Sequence, residues 1–204
     1  MKKIFILAIT CAMVFACNND KTKSDSKKNI PDSTGSLNSI SIVASNDLWK
    51  GEVGEAIRDI LAAPVDGLPQ DEPLFSMNQI PPEVFTGFIT NNRTVLKIEK
   101  GQAGLKIEED TYAQPQKVIV VYGNTKNEII AQLKENAKKI ISEFKKTELT
   151  EKQRRIKKSL NKTTTIENNL GVTINFASAY RIAKEEDKFF WIRKDLTTGS
   201  MNLM

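Results

Sequence analysis

The sequence predicts an α+β domain, a mainly antiparallel sheet with helices packed on one face. Three observations predict it. Val118 to Tyr122 is a continuous β-branched run of the kind that fills a strand buried on both faces. Ile129, Ile130, Leu133, Ala137, Ile140, Ile141 and Phe144 then recur at helical spacing directly after it. Around this pair stand short apolar runs bounded by Gly, Pro and Asn, which read as strands and turns.

Taken in order, the folded part is expected to begin at Ser39, with Ile40, Ile42 and Val43 on a short strand. Asn46 can cap a helix whose stripe is Trp49, Val53, Ile57, Ile60 and Leu61, and Pro64 ends it. Gly51 and Gly54 weaken its first turns or allow close packing; the acidic residue between them is wrong for a phosphate clamp. A Gly/Pro-rich connection, Val65 to Pro73, leads to a strand over Leu74 to Ile80, and Pro81 and Pro82 suit entry to a short helix. Val95, Ile98, Leu105 and Ile107 suggest a hairpin turning at Gly101 to Gly104. After the long helix, Thr150 and Gln153 can form a capping box that restarts a second helical piece through Leu160. Val172, Ile174, Phe176 and Tyr180 alternate as a strand, and Asp187 turns the chain into Phe189 and Trp191. This order leaves room for two similar sub-halves. The chain closes on a polar turn and a few apolar residues, Thr197 to Met204, without a cap or polar tail, so an incomplete C-terminus is also expected.

The N-terminus carries an address. Lys2 and Lys3 precede an uncharged apolar run, Ile4 to Phe15, of twelve residues. As a helix it would reach about 18 Å, short of the roughly 30 Å of a bilayer core, which suits a signal peptide. Ala16 then precedes Cys17, whose thiolate is the nucleophile able to take a diacylglyceryl group. Phe15 is bulkier than the residue usual there. The reading is a signal peptide over 1–16, a lipidated Cys17 with a polar tether over 17–38, and an α+β domain over 39–204. An ordinary signal peptide with an incidental Cys17 is the alternative.

Composition limits the chemistry. The 204 residues include no His and two Cys, one in the leader and one at the proposed lipid site. Histidine-assisted nucleophiles and the usual zinc sites are therefore out of reach. Carboxylate chemistry, Ser–Lys pairs and oxygen-ligand metals such as calcium survive; glycoside-type hydrolysis would need two facing acids, and nothing in the spacing of Asp66 and Glu108 or Glu109 favours them as that pair. The loop Asp66, Asp71, Glu72 lacks an EF-hand spacing and is explained as a turn, so no metal and no cofactor are expected.

The formal charge is +5, and it is uneven. Asn124 to Lys162 holds twelve Lys or Arg against five Asp or Glu. Lys138, Lys139, Lys145, Lys146, Lys152, Arg154, Arg155, Lys157 and Lys158 could together meet an anionic partner. The plainer reading is a solvated helix face, because Glu135–Lys139, Glu148–Lys152 and Glu151–Arg155 stand at i,i+4. No aromatic-interleaved motif accompanies the charge, so nucleic acid is not expected. Trp49, Phe176, Tyr180, Phe189 and Trp191 could line a groove but at their spacing read as core.

The stretch Ser45-Asn46-Asp47-Leu48-Trp49-Lys50-Gly51-Glu52-Val53-Gly54-Glu55-Ala56-Ile57-Arg58, with Ala63-Pro64-Val65-Asp66-Gly67-Leu68-Pro69-Gln70-Asp71-Glu72-Pro73-Leu74-Phe75, resembles an uncharacterised lipoprotein family of Bacteroidota, domain of unknown function 4837. Phe85-Thr86-Gly87-Phe88 and Asn91-Asn92-Arg93 extend the resemblance, which is read as covering Ser39 to the C-terminus. It implies an envelope lipoprotein and carries no catalytic residue. Because Cys17 lacks a following acidic cluster, the expected place is the outer membrane, facing the periplasm. The expected function is a membrane-anchored envelope lipoprotein acting as a non-enzymatic binding or structural module, with an envelope protein or an anionic envelope polymer as its partner. The alternative is an envelope hydrolase using paired carboxylates.

Overall fold

The computed structural model describes residues 30–68 and 70–204. The expectations for the leader, Cys17 and residues 18–29 lie outside the described residues. Among the described residues eight strands and five α-helices form an α+β architecture with two sheets. The first sheet contains β1 (Ser39–Val43), β2 (Ser76–Ile80), β3 (Thr94–Glu99), β4 (Gly104–Glu109) and β5 (Lys117–Tyr122), in the order β2-β1-β3-β5-β4.

This sheet is mixed. β1 pairs in parallel with β2 and β3, and β3 pairs in parallel with β5; β4 alone is antiparallel, against β5. The expected hairpin between β3 and β4 does not form, because β5 inserts between them. The physical reason lies in β5. Its residues are buried on both faces, and a strand with two apolar faces is most fully covered between two others. Helical connections also favour parallel pairing, since a crossover returns the chain to the same end of the sheet.

The break between α1 (Asn46–Lys50) and α2 (Glu52–Leu61) falls at Gly51, and Ser45, not Asn46, is the residue that caps. A Cβ at Gly54 would collide with the Trp49 carbonyl, so this glycine serves close packing between the two pieces. Thr125 accepts from the Glu128 N–H while Glu128 Oε2 accepts from the Asn124 N–H, and this capping box starts α3 (Lys126–Glu135). The chain bends at Asn136 into α4 (Ala137–Lys158). The box expected at Thr150 does not form. Thr150 Oγ1 instead donates to the Lys146 carbonyl within an unbroken helix.

α2, α3 and α4 bury Val53, Ile57, Ile129, Leu133, Ile140 and Phe144 against one face of the sheet, which presents Ile40, Ile42, Leu96, Ile98, Ile119 and Val121. Phe85 and Tyr112 cover the other face, over Val43, Val95 and Val120. After α5 (Thr165–Leu170), a three-stranded antiparallel sheet follows: β6 (Arg181–Glu186), β7 (Phe189–Leu196) and β8 (Gly199–Leu203). It packs Phe190 and Ile192 on Ile166 and Phe176. The two sheets differ in size and pairing, so the sub-halves are not alike. Val172 to Phe176 is irregular where a strand was expected; an isolated bridge joins Ala177 to Leu160.

Residues 30–38, assigned to the tether on composition, lie against the first sheet. Asp32 bridges Gln114, Thr34 bridges Asn92, and the Gln114 N–H donates to the Pro31 carbonyl. Backbone partners, invisible in a composition, hold this strap.

Candidate functional site

Two ends of the first sheet are built differently. At the carboxyl ends of the parallel strands the chain leaves β1 for β2 on one side and later enters β3 on the other. This is a topological switch point, where open α/β sheets place their ligands. A crevice of about 360 Å³ opens there, lined by Ser45, Leu48, Ile98, Lys100, Asn124 and Lys126 among others. Gly123 lets α3 start close to the strand, since a Cβ there would strike Ile129. One first-turn donor of α3, the Glu128 N–H, is used by its capping box, and the Glu128 carboxylate supplies the negative charge the helix N-terminus favours. Glu99, at the rim, is paired with Lys97 at 2.6 Å. The crevice is a mixed apolar and polar recess whose helix N-terminus already carries a carboxylate.

The opposite end, where the strands begin, carries buried charge. Arg93 stands just before β3 and is 1% exposed. Its Nε and Nη2 donate to Glu148 at 2.8 and 3.0 Å, and Nη2 also donates to the Ser36 carbonyl at 2.9 Å. The Asn38 N–H donates to the same carboxylate at 2.9 Å. Glu151, one turn on, accepts from Arg154 at 2.6 Å and Arg155 at 2.7 Å, and Arg155 reaches the Gly35 carbonyl at 3.1 Å. Arg154, the stronger influence, together with Arg155 holds the Glu151 carboxyl down at about 2 against the desolvation that would raise it. The whole assembly clamps the strap to α4. Nearby, Lys117 meets Glu109 and Glu143; burial opposes its charge, but the two carboxylates prevail and its pKa is raised.

The clamp changes the reading of the basic helix. Arg154 and Arg155 are tied to Glu151, so they serve the strap. Glu148 points inward to Arg93 and not to Lys152; Glu135 engages Gln132 and not Lys139. Of the three expected i,i+4 pairs only Glu151–Arg155 forms. Lys138, Lys139, Lys145, Lys146, Lys152, Lys157 and Lys158 are exposed and, among the described residues, make no ion pair. Leu149 stands 57% exposed among them. The long-range partner of Glu148 carries no signal in local spacing: Arg93 lies fifty-five residues away.

The candidate carboxylates are placed differently. Asp66 lies in an exposed turn. Glu108 is held by Lys106 at 2.5 Å and Glu109 by Lys117, and both carboxyls are lowered by those lysines. Lowering favours the ionised form, the reverse of what a general acid needs. Among the described residues no group of three or more His, Cys, Asp or Glu could hold a metal ion, and no helix is long and apolar enough to cross a membrane. Trp49 stacks under Arg58 in the first unit, while Phe176 and Phe190 pack in the second, so the aromatic residues do not make one groove.

Comparison with known families divides the chain where the architecture changes. Residues 159–204, the three-stranded unit, match a domain of unknown function, DUF4837. The stretches that carry the sequence resemblance to that family, Ser45 to Phe75, lie instead in a separate match over 33–157. No curated protein and no solved structure matches the chain. The match over 33–157 spans most of the strap, the first sheet and nearly all of α4, more than half of the sequence, and by it the chain belongs to the family described as domain of unknown function DUF8532.

Proposed function

We propose that this protein is a lipid-anchored cell-envelope lipoprotein whose folded part is a non-enzymatic binding module, held at the outer membrane and facing the periplasm. The observation that carries the reading is the leader: Lys2 and Lys3, the apolar run Ile4 to Phe15, and Ala16 before Cys17. The strap supports it. A domain tethered by its N-terminus transmits any pull on the tether to the residues where the chain joins the fold, and Ser36, Asn38 and Gly35 there are locked by Arg93, Glu148 and Arg155. The arrangement also gives the domain two poles. The strap lies at the strand beginnings, and the crevice stands at the opposite end of the sheet, open to a partner from the periplasm. The resemblance to a Bacteroidota lipoprotein family agrees with this placement.

The test is metabolic labelling of the full chain in a bacterial host with an alkyne fatty acid. Label on the wild type that disappears in Cys17→Ala, with the protein moving from the membrane to the soluble fraction, is the expected result. Equal labelling of both, or a mature N-terminus other than Cys17 by mass spectrometry, would overturn it.

A further inference from the structure

We propose that the outer face of α4 docks on the anionic phospholipid headgroups of the membrane that holds the anchor, so that the lipid and the lysines act as two halves of one membrane contact. This rests on the lipid anchoring proposed above and adds a second, electrostatic contact to it. Three observations place the surface.

The first is where the chain leaves the domain. Leu37 and Asn38 share a cleft with Lys145, Glu148, Leu149 and Lys152 on one flank of α4. Pro31 is bonded to Gln114, and the adjoining Pro115 and Gln116 share a second cleft with Lys146 and Thr150 on the other flank. The strap thus runs beneath α4 from one side to the other, and the described chain begins beside this helix. Thirteen positions separate Cys17 from Ile30, a length that spans at most about 45 Å. The helix beside the exit thus lies within reach of a bilayer that holds the anchor.

The second is charge without a partner. Lys138, Lys145 and Lys152 recur every seven residues and share one flank; Lys146 lies across the outer face from them. None makes an ion pair among the described residues, because Glu148 is turned inward to Arg93 and Glu151 is taken by Arg154 and Arg155. The third is Leu149, an exposed apolar side chain set between these lysines. A basic helix face with an apolar centre fits the interface of an anionic membrane, and a lipid chain with a polybasic patch is a recognised pair of signals for stable attachment.

The test uses the lipidated full chain carrying Gln153→Cys, an exposed position on the outer face of α4, labelled there with an environment-sensitive dye. It is reconstituted in vesicles of phosphatidylcholine alone or with 30% phosphatidylglycerol, each containing a headgroup-nitroxide lipid as quencher. Quenching on the phosphatidylglycerol vesicles and not on the neutral ones is expected. Near an anionic surface each lysine changes the docked-to-free ratio by about fivefold. Lys145→Gln with Lys152→Gln should therefore lower that ratio about 25-fold, while Lys100→Gln with Lys126→Gln, an equal charge loss at the crevice pole, should leave it unchanged. Equal quenching on both vesicle types, no quenching on either while the protein still floats with them, or the same loss from both double variants would overturn the docking and leave the anchor intact. Failure of the wild type to float with any vesicle in high salt would overturn the anchor itself.

Discussion

Replacing Arg93 by Met removes the positive centre of the clamp and leaves its surroundings in place. Glu148, 3% exposed, would keep one donor, the Asn38 N–H, in place of three. Stripping one partner from a buried ion pair costs about 3–5 kcal/mol, because the remaining charge stays out of water. That is a large share of the roughly 5–15 kcal/mol that holds an ordinary domain together. Restoring electrical balance with Arg93→Met and Glu148→Leu together should recover part of the loss, since a matched apolar pair is often as stable as the ion pair it replaces. It should not recover all of it, because in both variants the Ser36 carbonyl loses its guanidinium donor and the Gly35 carbonyl keeps only that of Arg155. Urea unfolding gives the stabilities, and amide exchange at the backbone N–H groups of residues 33, 34 and 38 reads the strap directly. The expected order is wild type, then the double variant, then Arg93→Met, with the strap exchanging faster in both variants. A loss under about 1 kcal/mol in Arg93→Met, or a double variant no better than the single one, would refute the idea that this pair fastens the strap.

Two further outcomes follow from the same physics. The Glu151 carboxyl, depressed from an ordinary 4.5 to about 2 by Arg154 and then Arg155, contributes stability that is complete above about pH 4.5 and is lost as pH falls through about 2. The stability difference between wild type and Glu151→Gln should therefore shrink between pH 6 and pH 2; a difference constant over that range speaks against the pairing. Gly54→Ala would gain up to about 1 kcal/mol of helix propensity in an open helix. Here its methyl meets the Trp49 carbonyl, and overpacking of that kind costs about 1–3 kcal/mol, so a net fall in melting temperature is expected. A rise would mean that α1 and α2 yield easily.

Sequence by itself determined the elements whose causes are local. The β-branched run of β5, the apolar stripe of α3 and α4 and the turn at Asp187 are all visible in a window of a few residues, because periodicity and turn chemistry act over that range. It also set the chemical limits, since no fold can supply a histidine that the chain lacks. What sequence left open was who stands beside whom. The spacing of β3 and β4 suggests a hairpin, and the structure places β5 between them. Glu148 has Lys152 four residues away, and pairs with Arg93 fifty-five residues away. The strap has a tether's composition and lies in a domain's contacts. In each case the deciding interaction is long-range: burial makes a strand with two apolar faces central and a desolvated Arg–Glu pair compelling, and burial exists only once the chain has folded. The two poles of the sheet, and with them the lysine face beside the strap, belong to that second class of fact.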